Sequence, residues 1–369
     1  MKVTCNRKRL LTAFQLAASA APTRTPKPVL RNVKIEVGDE RVSLLATNLE
    51  NSVRVVVEGA MIRDTGVALL PIDRFRALLT ESRDERLNLE ATPQAVLVTG
   101  NRLLYRLLCE DVADFPPVPE FSGSVDYVLP PQSLCEAFRR TEFATAKYDF
   151  RYAIHGVLME FSEDAVIAVA TDGNRMAKAV LPAIATERPD AAQCVILSRS
   201  AIRLLTNVLA DETRDVGVVV TQNDLVVQSE NAVVTTRLLE GTFPPSWKKL
   251  VAARTKTHRI TAIAGPLYAD VRQAAIVSSR DDRSIACTFR SGELCLNSPT
   301  ENAGSARIVH PIDYDGEPIT VKLNYPFLAD FLKVLDPGKT FTIEIKDANS
   351  AVVCTTDDGY TYIIMPMMM

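Results

Sequence analysis

Along the chain, stretches whose apolar residues recur at helical spacing give way to stretches that alternate apolar and polar at every position. The helical pattern runs through Arg7–Ser19, Gln132–Thr145 and Pro266–Ser278. Each stretch follows a short strand: Lys2-Val-Thr, Asp126-Tyr-Val-Leu and His258-Arg-Ile-Thr. Alternating segments come next, at 31–50, 154–174 and 284–301. The turns Gly38-Asp-Glu, Ser162-Glu-Asp and Ser291-Gly-Glu give each segment the chemistry of a hairpin. A strand then leads into a second helix at 67–82, 194–209 and 319–335. Further strands close each copy on an apolar residue before proline: Asp114-Phe-Pro, Thr242-Phe-Pro and Ile364-Met-Pro.

One unit of strand, helix, strands, helix, strands therefore recurs three times, at a spacing of about 125 residues. The pattern predicts an α+β fold of three repeated domains, each with two helices packed on two small antiparallel sheets. The domains are expected at 1–120, 125–250 and 256–369. Identity between the copies is low, so what repeats is the architecture. The linkers fit: Pro116–Ser124 is rich in proline and serine, and Pro244–Thr257 is basic and turn-forming.

Composition mainly excludes. With 369 residues, 47% of them apolar, the chain can bury sizeable cores; 42 basic against 45 acidic residues leave a net charge of -3. Any contact with a polyanion must come from local clustering of charge. The closest of the fifteen glycines, Gly59 and Gly66, stand too far apart for a dinucleotide turn, a phosphate loop or a nucleophile elbow. His155, His258 and His310 are too scattered for a zinc helix. The seven cysteines form no C-x-x-C pair and read as free thiols of a reducing, cytoplasmic protein. No cofactor or metal site is expected. Arg7-Lys-Arg before the apolar run Leu10–Ala21 has the form of a short signal peptide, but Leu10, Leu11, Phe14 and Leu16 share one side of a helix, and an ordinary first helix is the reading taken. No apolar stretch reaches the ~18 residues of a membrane span.

Charge and methionine carry the positive signals. Arg7, Lys8 and Arg9 crowd the start of a helix, where the dipole disfavours cations by ~0.3–1 kcal/mol each. They indicate either an anionic partner or a solvated run. Other predicted helices carry Arg74 and Arg76, Arg139 and Arg140, Lys147 and Arg151, Arg199 and Arg203, and Arg272 and Arg280. Four of the eight methionines, Met365, Met367, Met368 and Met369, lie in the last five residues. A Met-rich end suits a surface that repacks around partners.

The patches Ala113-Asp-Phe-Pro, Asp149-Phe-Arg-Tyr, Ala170-Thr-Asp-Gly-Asn-Arg-Met, Leu239-Glu-Gly-Thr-Phe-Pro and Tyr362-Ile-Ile-Met-Pro-Met, set in this threefold order, resemble the bacterial sliding clamps, the beta subunits of DNA polymerase III. The resemblance covers the whole chain. It implies the DNA-clamp fold, and a head-to-tail homodimer that closes six domains into a ring around duplex DNA without reading its sequence. Such a protein has no catalytic site; it gives processivity to the replicative polymerase. The implied DNA contacts are Arg24, Lys147, Tyr148, Arg151, Tyr152 and Arg199. For the two tyrosines, backbone contact and packing at a core edge both stand. Asp73 and Ser200 occupy positions where the family often has basic residues, which implies a weaker or redistributed grip.

The resemblance further implies a peptide-binding groove made by Ile154, Thr171, Gly173, Asn174, Arg175, Met176, Pro244, Asn324, Phe327, Ile363, Ile364, Met365, Pro366 and Met367. Short linear motifs of the polymerase alpha subunit, the clamp loader, other polymerases and repair proteins would dock there. Leucine or phenylalanine side chains of the motif would lie against Ile154, Met176, Ile364 and Met365. Pro245-Ser-Trp-Lys-Lys-Leu departs from the family at the groove's rim, with one inserted residue aligning Trp247 with the usual aromatic. The usual final basic-then-leucine pair is replaced by Met368 and Met369. At the dimer interface the resemblance places Tyr105 and Leu107 on an edge strand against Ile276 and Val277, as apolar residues otherwise exposed. Two rival classes remain: an enzyme using Thr171-Asp-Gly or Asp281-Asp282, for which no second cluster exists, and an interaction scaffold without DNA.

Overall fold

Asn6 ends the first strand and caps the first helix, its side-chain oxygen accepting from the backbone N–H of Lys8 and Arg9 at 3.0 and 3.2 Å. This computed structural model describes the chain except residues 93, 122, 148–151, 187–192, 253–257, 279–282, 301–303 and 369, and the side chains of 299–300. Among the described residues the helices are α1 (Arg7–Ala18), α2 (Ile72–Glu81), α3 (Pro131–Thr141), α4 (Arg199–Leu209), α5 (Trp247–Ala252), α6 (Ala264–Ala274) and α7 (Tyr325–Lys333). Six of them fall where the periodicity puts them. α5 lies in the stretch read as a linker; its Trp247 is buried, and that burial makes a helix of a basic, turn-like segment.

The chain forms two compact units. Met1–Cys135, Ala183–Gln193 and Leu197–Leu238 make the first, and Glu136–Pro182, Cys194–Ile196 and Leu239–Met369 the second. In the first unit Phe14 of α1 meets Phe75 of α2 edge-on at 4.9 Å, joining two helices that each bury one apolar face. In the second, Phe331 of α7 stacks on Tyr362 at 5.0 Å and on Tyr360 at 5.8 Å, and meets Phe341 at 5.1 Å.

The sheets correct the expectation of two small sheets per repeat. In the first unit Ala232–Arg237, from the middle repeat, pairs antiparallel with Asn51–Val56 of the first repeat, fusing their strands into one nine-stranded sheet. In the second unit Arg175–Pro182 pairs with Thr361–Ile364, giving an eight-stranded sheet. Joining strands across repeats satisfies backbone groups that would otherwise line open edges. A five-stranded sheet ends on the edge strand Leu104–Leu108, and a four-stranded one ends on Gly304–Pro311 and Ile319–Asn324. No helix among the described residues is long and apolar enough to cross a membrane.

Candidate functional site

All fourteen expected groove residues lie in the second unit. The hairpin after strand Ala165–Thr171 is a dense polar turn. Asp172 accepts from the N–H of Asn174 and Arg175 at 3.0 Å each, and Thr171 Oγ1 accepts from the N–H of Gly173 and donates to the Arg175 carbonyl. Gly173 sits at φ +89°, a left-handed conformation that a side chain would strain.

Arg175 follows this turn and uses its whole fork. Nε donates to Asp172 at 3.0 Å, Nη1 to Asp330 at 2.6 Å and Nη2 to the Phe143 carbonyl at 2.7 Å. Its guanidinium carbon lies 4.4 Å from the centroid of the Phe327 ring. Burial alone would disfavour the charged form, but the charge- and hydrogen-bonding partners of the guanidinium outweigh it and hold its pKa above the usual arginine value. Tyr362 donates to the Phe327 carbonyl at 3.0 Å, and burial holds its hydroxyl neutral.

The next residue, Met176, pairs across the ladder with Ile363, and both join an apolar cluster with Ala153, Leu158, Val169, Ile196 and Trp247. Half-buried Leu239, Phe243 and Val251 pack around it. The Met365 N–H donates to the Asn174 carbonyl at 2.8 Å, extending the ladder past the strand's end, and the Met367 N–H donates to the Lys322 carbonyl at 2.8 Å on an edge strand. The terminal segment is therefore tethered at two points. Asn324, which precedes α7, leaves its Oδ1 buried and unpartnered among the described residues.

This geometry corrects part of the expected docking surface. Successive strand residues face opposite sides of the sheet. Ile363 faces the Trp247 cluster, whereas Ile364 shares the side of Tyr362, which packs on α7, and is fully buried. One peptide on one face cannot touch both. Ile154 and Met176 are also buried and offer no open contact. Gly173, Asn174 and Met365 are exposed, and Thr171, Arg175, Pro244, Asn324, Phe327, Pro366 and Met367 are half-buried. Sequence reasoning aligned Trp247 with the family's aromatic but missed Phe243 and Phe143; the apolar residue before Pro244 was the available signal.

The residues expected at DNA differ in exposure and in the partners they hold. In the first unit Arg24 and Arg74 are exposed and Arg199 is half-buried at the start of α4. In the second, Lys147 is exposed and Tyr152 half-buried. Tyr148, Arg151, Arg280, Asp281 and Asp282 lie outside the described residues. Of Arg7, Lys8 and Arg9, expected to face an anionic partner or solvent, Arg7 takes neither course: its Nη1 donates to the Leu79 carbonyl at 2.7 Å, in the last turn of α2, where the helix dipole favours a cation. Arg139 and Arg140 both bind Glu136. Asp73 pairs with Arg31 at 3.1 Å and Arg76 at 3.3 Å, and Ser200 Oγ accepts from Asn51 at 3.2 Å.

Of the expected dimer residues, Ile276 is 79% exposed, Tyr105 is exposed and Val277 half-buried. Leu107 contradicts the expectation of exposure. It is buried opposite Val96, on the covered face of its strand, while Leu104 and Leu108 point the other way and are exposed. Among the described residues no group of three or more His, Cys, Asp or Glu could hold a metal ion.

Comparison with known proteins gives three tandem matches. They are to the N-terminal domain of the DNA polymerase III beta subunit at residues 1–119, its central domain at 128–245 and its C-terminal domain at 251–368. A beta sliding clamp of Chlamydia pneumoniae is 26% identical over 368 residues, covering 100% of this chain and 99% of the relative. One of Pseudomonas aeruginosa is 29% identical, with 100% of both covered. The crystal structure of the Pseudomonas aeruginosa DNA polymerase III subunit beta superposes with a TM-score of 0.92 at 26% identity, covering 100% of both chains.

Proposed function

The chain belongs to the DNA polymerase III beta subunit family, and we propose the division of labour among its surfaces that follows. It is a DNA sliding clamp: an accessory subunit that encircles duplex DNA and confers processivity on the replicative polymerase, without chemistry of its own. The observation that carries this is the run of three domain matches, in order, from residue 1 to 368. In this reading the three domains span 1–120, 125–250 and 256–369. Two chains join head to tail through Tyr105 and its exposed neighbours on the edge strand of one copy and Ile276 and Val277 of the other; a repeated heterologous contact closes into a ring. Such a protein acts where the DNA is, in the cytoplasm.

Arg24, Lys147, Arg151 and Arg199, with Tyr148 and Tyr152, meet the phosphate backbone. Phosphate contacts carry no sequence information and weaken with salt, so they hold the duplex without fixing a register. The surface between the Asp172 turn and the tethered terminus takes short peptides from the polymerase, the clamp loader and repair proteins. Burying one leucine or phenylalanine contributes ~1.5–3 kcal/mol before ordering costs, so a short motif binds in the micromolar range.

Retention on circular DNA with loss on linearisation tests the clamp. Deletion of residues 365–369 tests the groove. The truncated chain is expected to lose a fluorescent polymerase-tail peptide, read by anisotropy, and to keep its ring. Undiminished peptide affinity refutes the assignment of docking to this terminus.

A further inference from the structure

The described methionines differ widely in exposure. Met159 and Met176 are buried at 1% and 3%, Met1 and Met367 are half-buried, and Met365, Met61 and Met368 are 41%, 49% and 93% exposed. Oxidant reaches a thioether in proportion to its exposure. Met365 is not on a loose tail, and Met368 follows directly on a tethered residue. The Met365 and Met367 amides are tied to the carbonyls of Asn174 and Lys322, so the backbone beside Met365 is fixed against the Asp172 turn. Four thioethers in five residues also far exceed the share of methionine elsewhere in the chain.

We propose that Met365 and Met368 are oxidation sites through which peroxide lowers the affinity of this face for apolar peptides. The proposal rests on the docking reading above. In the step, the sulfur lone pair attacks one peroxide oxygen, the O–O bond breaks, the S–O bond of a sulfoxide forms and the second oxygen leaves as water. Sulfur loses two electrons and peroxide gains them. A sulfoxide reductase with a dithiol donor reverses the change, releasing the oxygen as water and leaving a disulfide. The oxidised side chain is polar and chiral, and no longer repacks against leucine or phenylalanine.

The test uses the intact chain carrying Met61→Leu, because Met61 is also half-exposed. Hydrogen peroxide is applied, sulfoxide is mapped by peptide mass spectrometry, and anisotropy follows a labelled polymerase-tail peptide. Met365 and Met368 are expected to gain oxygen well before Met159 and Met176. Affinity should fall about tenfold, the effect of removing one apolar side chain from the interface, and return with methionine sulfoxide reductase. Met365→Leu with Met368→Leu should give an affinity, whatever its starting value, that peroxide does not change. Oxidation of Met176 as fast as Met368 overturns the site. Full sulfoxide at 365 and 368 with affinity within twofold overturns the effect. A reduced chain that binds no peptide overturns the docking reading and the affinity half of the proposal together, and the order of oxidation then decides the site alone.

Discussion

Replacing Arg175 with alanine removes a side chain that ties the Asp172 turn to α7 and to the Phe143 carbonyl. Its side chain is 10% exposed, and it loses three hydrogen bonds at 3.0, 2.6 and 2.7 Å. Breaking a buried ion pair from one side costs about 3–5 kcal/mol when the partner is stranded. Here the partners are only partly stranded. Asp172 keeps two backbone N–H donors, and Asp330, 43% exposed, rehydrates. The Phe143 carbonyl and the face of Phe327 lose their cation outright. The expected cost is therefore ~2–3 kcal/mol, localised to the turn and the strand it pairs with. Native-state hydrogen exchange reads this directly. Protection of the amides around Arg175, Met176 and Met365 should drop roughly 30- to 150-fold relative to wild type. Arg175→Lys keeps the charge but not the planar fork and should recover less than half of the loss. Protection within threefold of wild type in Arg175→Ala would refute the claim that this guanidinium holds the site together.

Charged substitutions at Ile276 and Val277 should give monomers of 40.5 kDa by light scattering, because they place charge on an exposed apolar surface; persistent dimers would move the interface elsewhere. Alanine at Arg24, Arg151 and Arg199 should weaken duplex binding, and the slope of log K against log salt should become shallower by ~0.9 for each phosphate that is no longer neutralised, with the dimer intact. A footprint at one preferred sequence would contradict sliding. Stability should fall in acid through the cluster at Arg140. Burial raises the Asp358 carboxyl, but hydrogen bonds from Thr356 and Arg140 outweigh it and bring the pKa from 3.8 to about 2; burial also raises Glu136, and Arg139 and Arg140 outweigh it and lower the group. The unfolded chain takes up these protons first as pH drops. The contribution is thus complete above pH ~5 and is lost as pH falls towards 2. For Asp358 the full shift would be ~2.5 kcal/mol, cut by solvent screening to about 1. Asp358→Asn should flatten the acid limb of a urea-midpoint-against-pH curve; an unchanged slope would remove Asp358 from the account.

The elements were legible because their two periods differ and their ends are marked. Asn6 before Arg7 and Ser198 before Arg199 both act as caps, and the hairpin turns at Gly38, Ser162 and Ser291 join the strands the alternation implies. The pairing of Ala232–Arg237 with Asn51–Val56 was not legible. Nothing local distinguishes an edge strand that stays open from one that joins a strand far away in sequence. The Met-rich composition of the terminus was legible, but the placement of Ile363 and Ile364 turned on which face of the strand each residue takes. That alternation was readable in principle, since Tyr362 and Ile364 must share a side. Leu107 was misjudged for the same reason: its strand is at an edge, but an edge strand still has a covered face.

The charges show why counting cations along helices overstates a grip on DNA. Arg7 is spent on the end of α2, Arg139 and Arg140 on Glu136, and Arg76 with Arg31 on Asp73. Glu136 and Asp358 together offset Arg139 and Arg140, and Asp73 offsets one charge of the Arg31 and Arg76 pair, whereas Arg7 meets only a carbonyl and keeps its charge; beyond about one Debye length, ~8 Å at physiological salt, the paired clusters therefore act weakly. On the proposed reading, the cations that remain to meet phosphate at short range are the smaller, exposed set to which Arg24, Arg74 and Lys147 belong. A clamp held shut by its own subunit contacts does not need strong affinity for the duplex, because topology prevents escape. Strong phosphate pairing would instead oppose movement along the DNA, since every step must break it. A carboxylate at Asp73, paired with Arg31 and Arg76, and a hydroxyl at Ser200, bound by Asn51, therefore fit a ring that retains DNA by enclosure more than by adhesion.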